Sequence, residues 1–392
     1  MSTLGVVGGY ILIALYLAAG FYIGKRMHWW FKHVFPKMNT VIFTAVYTLM
    51  AAMALASLVP MSIRVGFVYA LRLLGGYMAG ILMYLLMFLL LADLVMLCLK
   101  IIRRNYNLSK VRFYSMGIAV ILTVIVAVYG IYNATQLTIV NYEVELMRDL
   151  DGEMNIVFIS DLHLGEVRSE NGLERMVEYI NSLDPDIVCI IGDIFNDDFY
   201  AIRDPYRASA LLRGIDARFG VFACLGNHDT GETLGSMLNF LAESNVHLLK
   251  DEHVIIDNRL VLIGRLDRLP PWLNADGFGG MHRSDFAGIM DAVHADLQQQ
   301  GLSADLPVVV IDHNPENINE YGSDVDLALF GHTHGGSLFP ITLVTRMIFV
   351  TDSVHFQRDN YSPHIIVTQG VHVWSIPMRV GTHNEVARVI VR

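Results

Sequence analysis

The chain has 392 residues, of which 54% are hydrophobic, and a formal net charge of −10 at pH 7. Residues 1–132 hold 11 basic residues and one acidic residue, whereas residues 133–392 hold 17 basic and 37 acidic residues. The apolar fraction excludes an average soluble protein, and an acidic half with one lysine, Lys250, argues against a nucleic-acid partner. Three cysteines, Cys98, Cys189 and Cys224, do not make a disulfide framework, and we interpret them as core thiols.

The first third of the chain predicts a transmembrane region over residues 1–132. Crossing the hydrocarbon core takes about 20 apolar residues. The first run has no basic residues before it and three spans behind it, so it is predicted to be an anchor and not a cleaved signal peptide. The four predicted spans are Gly5–Gly24, Thr40–Pro60, Leu73–Leu99 and Phe113–Tyr132.

Basic residues orient the predicted spans, because loops rich in Lys and Arg stay in the cytoplasm. Such residues follow the first span (Lys25, Arg26, Lys32, Lys37) and the third (Lys100, Arg103, Arg104, Lys110, Arg112), whereas only Arg64 and Arg72 lie between the second and third. We therefore expect a multi-pass protein of the plasma (inner) membrane. Everything after Tyr132 is then expected on the extracytoplasmic side.

Asp93 is the one acid in this region, and two interpretations of it stay open. An acid in a membrane span usually faces a partner or a wet cavity. Asp93 either has a structural explanation, by pairing with a basic residue such as Arg72 or Arg103 or by snorkelling toward the membrane surface, or it takes part in handling a substrate.

Residues 133–154 are predicted to form a linker and a first strand, since Val140, Tyr142, Val144 and Leu146 alternate with polar residues. From there to residue 392, strand-length apolar runs alternate with segments of helical spacing, such as Leu173, Met176, Val177, Ile180 and Leu183. This alternation predicts an α/β domain. The predicted strands are Ile156–Ser160, Ile187–Ile191, Val221–Leu225, Leu260–Gly264, Val308–Ile311 and Leu327–Phe330.

Polar residues able to bind metal follow five of these strands. Because ligands of α/β sheets collect at the carboxyl ends of strands, we expect the five clusters to converge on one crevice. The clusters are Ser160-Asp161-Leu162-His163, Gly192-Asp193, Gly226-Asn227-His228-Asp229, Asp312-His313-Asn314 and Gly331-His332-Thr333-His334-Gly335-Gly336.

The composition of the clusters favours a divalent-metal site. Asp161 and His163 are two residues apart, as are His332 and His334, so in an extended chain each pair points to one side. Carboxylate, imidazole and amide ligands suit manganese, zinc or iron. Any one cluster alone is more typical of a capped turn. The glycines before the ligands, Gly192, Gly226 and Gly331, permit unusual backbone angles and close approach of loops.

Taken together, these blocks resemble the calcineurin-like metallophosphoesterase family, whose motifs read Asp-x-His, Gly-Asp, Gly-Asn-His-Asp/Glu, a lone His and Gly-His-x-His. The resemblance covers about Asn155–Arg392. It implies a four-layer sandwich in which helices flank two mixed β-sheets. The subgroup that the chain looks like is the membrane-attached bacterial kind, whose ending is similar to Ile365–Gly370, Pro377-Met378-Arg379 and Glu385–Val391 here.

The resemblance also implies roles for individual residues. One metal ion would be held by Asp161, His163, Asp193 and His334, and a second by Asp193 as the bridge with Asn227, His313 and His332. The family's catalytic histidine corresponds to His228, oriented by Asp229. The chain departs from the family three residues after the bridging Asp, where an acid is common and this chain has Asn196 followed by Asp197.

The expected function is a membrane-anchored hydrolase with two divalent metal ions, which cleaves a phosphate ester or pyrophosphate by attack of metal-bound hydroxide. The favoured substrates are a phospholipid, a polyprenyl (pyro)phosphate or a nucleotide-linked lipid. The apolar stretch Ser337–Val350 after the last motif is either a buried connection or a lip that dips toward the bilayer. Alternatives are a hydrolase of soluble phosphodiesters or nucleotides, a non-catalytic metal- or phosphate-binding membrane sensor, and a transporter with an appended domain.

Overall fold

The computed structural model describes residues 3–58, 66–102, 107–166, 169–268, 278–351, 355–359 and 361–392. The sequence predictions for Pro60, Arg64, Arg103 and Arg104 lie outside these residues. The chain divides into two compact units. Unit 1 comprises Met1–Tyr132 with Ser375–Met378, and unit 2 comprises Asn133–Trp374 with Arg379–Arg392.

Unit 1 is built from four helices, each with a stretch long and apolar enough to cross a membrane. A 3-10 turn at Leu55–Leu58 extends the second helix, which begins where the side chain of Asn39 accepts hydrogen bonds from the backbone N–H of Val41 and Ile42. The predicted number of spans therefore agrees with the structure. The helices are α1 (Thr3–Val34), α2 (Thr40–Ala54), α3 (Gly66–Ile102) and α4 (Leu108–Asn133).

Asp93, the acid of unit 1, is paired within the unit. One carboxylate oxygen forms an ion pair with Arg26, and the other accepts a hydrogen bond from the hydroxyl of Tyr22 at 2.7 Å. The guanidinium of Arg26 also lies 5.6 Å from the centre of the Tyr22 ring. The structure thus shows the pairing with a basic residue that is expected of a charge among apolar helices, and Arg26 is such a partner.

The first sheet of unit 2 has six strands, and the C-terminal strand lies inside it. That strand is parallel to the first strand and antiparallel to the second, and the remaining neighbours are parallel. The order is β1 (Leu137–Val144), β12 (Asn384–Val391), β2 (Met154–Ile159), β3 (Ile187–Ile191), β4 (Val221–Cys224) and β5 (Val246–Leu248).

The second sheet also has six strands, with three parallel pairings inside and an antiparallel pairing at each edge. Its order is β10 (His355–Phe356), β11 (His364–Val367), β9 (Leu327–Phe330), β8 (Val308–Ile311), β7 (Leu260–Gly264) and β6 (Glu252–Ile256). Both sheets are therefore mixed, as the resemblance implies.

Helices cover the outer faces of the two sheets. Helices α5 (Leu173–Ser182), α6 (Pro205–Arg213) and α7 (Leu234–Glu243) share an apolar core with the first sheet, and α8 (Phe286–Gln300) shares one with the second. Between the sheets lies a third core that contains Phe158, Leu262 and Leu329. This arrangement confirms the predicted four-layer sandwich. A further helix, α9 (Ile341–Ile348), follows β9.

Candidate metal centre

The five polar clusters follow β2, β3 and β4 of the first sheet and β8 and β9 of the second, and backbone hydrogen bonds join their loops. The N–H of Asp161 donates to the carbonyl of Gly192 at 3.1 Å, and the N–H of Gly331 donates to that of His313 at 3.0 Å. The ring of His313 then reaches the other sheet, with Nδ1 2.9 Å from the carbonyl oxygen of Ile191. The predicted crevice is thus formed by two sheets that meet, and not by one open sheet.

Five of the seven predicted ligands have a left-handed backbone. This region is strained for residues other than glycine and persists only where the surrounding structure holds it. The strain lies at the tight turns that directly follow the strands, where the chain must reverse while it aims a side chain into the crevice. The residues are Asp161, His163, Asp193, His332 and His334, with φ between 45° and 70°.

Two of the glycines allow the loops to approach one another closely. Gly192 has a φ of 67°, and a Cβ at this position would lie 2.6 Å from the His313 ring. At Gly226 a Cβ would lie 2.3 Å from Oδ1 of Asp193. Side chains at either position would push these ligands apart, so the predicted role of the glycines agrees with the structure.

The first group of candidate ligands consists of Asp161, His163 and His334, whose ligand atoms lie within 4.8 Å of one another. The two Nε2 atoms of the histidines are 3.2 Å apart, and that of His334 is 3.4 Å from Oδ1 of Asp161. Four ligands held about 2.1 Å from one ion lie roughly 3 to 3.5 Å from each other, so these spacings suit one divalent ion.

The second group consists of Asp193, His313 and His332, which meet the same limit of 4.8 Å. Nε2 of His313 is 3.1 Å from Oδ2 of Asp193 and 3.3 Å from Nδ1 of His332. The same Oδ2 lies 3.9 Å from Nε2 of His163, which belongs to the first group. Asp193 therefore stands between the two groups, as a bridging ligand must.

Unsatisfied oxygens at the centre also fit bound cations. Oδ1 of Asp161 and Oδ1 of Asn227 are buried and have no hydrogen-bond partner among the described residues. Buried acceptors of this kind are costly unless a cation or a water pairs with them. Asn227 is the amide ligand that the resemblance implies for the second ion.

The pKa values of the candidate histidine ligands differ. Burial alone would lower the pKa of His313, but the carboxylates of Asp193 and Asp161 raise it well above its ordinary value. Burial lowers the pKa of His163 and of His334 well below the ordinary value, and it lowers the pKa of His332 to about 4. These imidazoles are therefore neutral, which is the form that binds a metal ion. Burial alone would raise the pKa of Asp193, but the charges of His313 and His228 hold it well below its usual range.

The carboxylate that meets the ring of His228 is Asp197, at 2.8 Å from Nδ1. Asp229 instead accepts hydrogen bonds from the backbone N–H of Phe195 and of Gly226, both at 2.8 Å, and so holds two loops together. This corrects the expected pair of His228 and Asp229. Neighbouring side chains of one turn diverge, whereas the loop after β3 brings Asp197 across to the ring.

Burial alone would lower the pKa of His228, but the carboxylates of Asp193 and Asp197 raise it to about 9. The ring therefore carries a proton at neutral pH. The indole of Trp374 lies beside it, with ring centres 5.4 Å apart. The only sequence sign of Asp197 was its place next to Asn196, where the chain departs from the family pattern.

Arg379 is a further residue of the site, and the sequence does not predict its role there. It is fully buried, and its guanidinium donates to the backbone carbonyls of His334 and His372 at 2.7 Å each. Nδ1 of His334 lies 3.1 Å from the same carbonyl of His372, which leaves Nε2 for the metal. Arg379 was marked in the sequence only as part of the C-terminal resemblance.

Comparison with known proteins agrees with this geometry. Residues 154–336 match the family model described as calcineurin-like phosphoesterase. These residues form a calcineurin-like phosphoesterase domain. The match starts at β2, ends at Gly336 and contains all seven candidate ligands, so the predicted family is confirmed for this domain.

Relatives of this chain include a protein named as transmembrane. A transmembrane protein with metallophosphoesterase domain from Danio rerio is 27% identical over 291 residues, which are 71% of this chain and 63% of that protein. UDP-2,3-diacylglucosamine pyrophosphatase LpxG from Chlamydia trachomatis is 27% identical over 216 residues, 46% of this chain and 64% of that enzyme. Among solved structures, Haemophilus influenzae NAD nucleotidase aligns with a TM-score of 0.39 at 14% identity over 58% of this chain and 46% of that one.

Proposed function

We propose that unit 2 hydrolyses a phosphate ester or a pyrophosphate with two divalent metal ions bound in the candidate metal centre. The observation that carries this proposal is the placement of Asp193, one oxygen of which lies within 4 Å of ligand atoms from both groups. A carboxylate between two groups of imidazole ligands is what a two-metal phosphoesterase requires.

The residues divide between the two ions as follows. Asp161, His163, Asp193 and His334 would hold one ion, and Asp193, Asn227, His313 and His332 would hold the other. Such ions, when bound, neutralise charge on phosphoryl oxygens and lower the pKa of water to near neutrality. Manganese, zinc and iron are all compatible with this mixture of oxygen and nitrogen ligands.

His228 supplies the proton in this proposal. Its Nδ1 is engaged by Asp197, and its backbone N–H donates to Oδ1 of Asp193 at 2.8 Å, so the ring is held beside the metal centre. Despite its burial, the carboxylates of Asp193 and Asp197 raise the pKa of His228 and so favour its protonated form. His228 can therefore donate from Nε2 to the oxygen of the departing group, which would otherwise leave as an unstable anion.

We also infer that the substrate is a lipid whose head group contains a phosphate ester or pyrophosphate. Four candidate membrane spans keep the domain at a bilayer, where such head groups are abundant. The similar LpxG is named for a pyrophosphate bond in a diacylated, nucleotide-linked sugar. Soluble phosphodiesters and nucleotides are the second candidates, and the test below separates the two.

Hydrolysis of a simple phosphate ester tests whether the chain is an enzyme. The purified full chain in detergent, stripped of metal by a chelator, should hydrolyse an aryl phosphodiester only after Mn²⁺, Zn²⁺ or Fe²⁺ is restored. Incubation with total membrane lipids should then release a head group under the same metal dependence. A protein that binds two metal ions and hydrolyses nothing would support the sensor alternative and contradict the proposal.

We propose an extracytoplasmic position for unit 2, in the plasma membrane, on the basis of the basic loops. In the sequence Lys25, Arg26, Lys32 and Lys37 follow the first predicted span, and only Arg64 and Arg72 lie between the second and third predicted spans. In the structure Arg26 lies in the second half of α1 and Arg72 near the start of α3. A reporter fused after Arg392 should be active only if it folds outside the cytoplasm. A fusion that is active only in the cytoplasm would contradict the proposed orientation. The proposal for the metal centre does not depend on this result.

A further inference from the structure

Among the described residues of unit 2, the strongly exposed aliphatic and phenylalanine side chains lie in one short segment. Elsewhere among the described residues of unit 2, the large hydrophobic side chains that are strongly exposed are tyrosines and one tryptophan, which carry a polar group. The exposed aliphatic and phenylalanine side chains lie between residues 339 and 350. They are Phe339, Ile341, Leu343, Val344, Met347, Ile348 and Val350, and Met347 is 86% exposed. We call Phe339–Val350 the apolar lip.

The helix of the apolar lip, α9, has its polar and apolar faces reversed relative to a helix on a soluble domain. Thr342 and Thr345 are buried, whereas Val344 and Met347 are exposed. A helix on a soluble domain turns its aliphatic face to the core and its polar face to water. Arg346 is the one charged residue of α9. The reversed pattern is unfavourable for a helix that faces water.

The apolar lip is attached to the loop that carries two candidate metal ligands. Two residues after His334, a Cβ at Gly336 would lie 2.7 Å from Cα of Thr342, so this loop and α9 are in close contact. At the other end of the lip, the ring of Phe349 lies 6.1 Å from the ring of His332. Both ends of the segment are therefore fixed beside the metal centre.

We propose that the apolar lip enters the hydrocarbon boundary of the bilayer in which the chain is anchored. It holds the acyl chains of the lipid substrate while the phosphate lies at the metal centre, and this second part rests on the proposed function. A helix of eight residues is about 12 Å long, too short to span, so it lies in the interface.

Several observations favour the bilayer over a protein partner. The chain carries four candidate membrane spans, so a bilayer is its constant neighbour. The exposed face of the apolar lip is aliphatic and lacks acidic residues, which suits acyl chains and lipid phosphates. Trp374 is 47% exposed beside His228, and tryptophan is enriched where protein meets the boundary between lipid and water.

Site-directed fluorescence of the full chain in proteoliposomes tests the insertion without any need for activity. A Cys98→Ser background removes the exposed cysteine, and Cys189 and Cys224 are buried and protected from labelling. An environment-sensitive dye is then attached at Met347→Cys or, as a control, at Tyr206→Cys on α6, where the native side chain is 84% exposed.

The dye at position 347 should emit at shorter wavelength and be quenched several-fold more by lipids brominated on their acyl chains than the dye at 206. Iodide in the water should quench the dye at 206 and spare the one at 347. Equal quenching by iodide at both positions overturns the proposal. Protection from iodide without quenching by brominated lipid would point to a second copy or a protein partner, and also overturns it.

Met347→Glu, with Met347→Leu as its control, tests the part that rests on the proposed function. The glutamate variant should lose at least tenfold in head-group release from vesicles of total membrane lipids and keep its hydrolysis of the aryl phosphodiester in detergent. Equal release by the two variants refutes a role of the lip in holding lipid. Failure of the wild-type chain on both substrates would refute the proposed function alone and leave the fluorescence result standing.

Discussion

The two units differ in the partners of their acidic side chains. In unit 1 the carboxylate of Asp93 forms an ion pair with Arg26 and accepts a hydrogen bond from the hydroxyl of Tyr22. In unit 2 two buried carboxylates, Asp161 and Asp193, are gathered with four imidazoles, and Oδ1 of Asp161 has no hydrogen-bond partner among the described residues. A carboxylate paired with a cationic side chain indicates a structural role, whereas carboxylates gathered with several imidazoles indicate a site that can bind a metal ion.

The largest effect that this comparison predicts is from Asp193→Asn. An amide cannot supply the negative charge that stands between two cations, so both metal affinity and turnover should fall by at least about 100-fold, more than the loss of an outer partner of a ligand causes. Metal content by mass spectrometry and hydrolysis of the aryl phosphodiester measure this. Asp324→Asn, at an exposed position, is the control. Full activity in the Asp193→Asn variant would contradict the assignment of Asp193 as the bridging ligand.

The next effect is from His228→Ala, which removes the proposed proton donor and leaves the ligands in place. Turnover should fall about 10² to 10⁴-fold while both metal ions remain bound. Metal analysis of the same sample separates this outcome from that of Asp193→Asn. A parallel loss of metal would show that His228 is structural.

A smaller effect is expected from Asp197→Asn, which removes a carboxylate that raises the pKa of His228. Without it the pKa of His228 falls, so the protonated form is lost at lower pH. The alkaline limb of the turnover profile should therefore move to lower pH, with a loss of about 10-fold or less at neutral pH. Asp198→Asn, next to it, should keep the original profile. If the alkaline limb stays at its original pH, Asp197 does not set the pKa of His228.

The smallest effect tests unit 1. Asp93→Asn leaves Arg26 without its ion pair and should lower the stability in detergent by about 0.6 to 2 kcal/mol, the range for polar contacts between membrane helices. Melting followed by fluorescence measures this. Hydrolysis per folded molecule should stay unchanged. Loss of turnover with unchanged stability would instead support the interpretation that Asp93 handles substrate.

Much of the fold and of the site was predictable because it depends on local order in the chain. Apolar runs predicted strands such as Ile187–Ile191 and Leu327–Phe330 at their observed bounds, since a buried parallel strand is apolar on both faces. Ligands placed directly after such strands must lie at the carboxyl edge of the sheet. The division of these strands between two sheets came from the family resemblance and not from the patterns.

The sequence by itself determined which residues can bind metal, because residue chemistry and position after a strand are local properties. Only the tertiary structure decided which carboxylate meets His228, since Asp197 lies 31 positions away and arrives through a separate loop. It also decided that the segment after Gly336 is exposed, because burial depends on what distant parts of the chain cover. An apolar run has the same letters whether it faces a core or a bilayer, and only the folded chain shows that nothing described in unit 2 covers Met347.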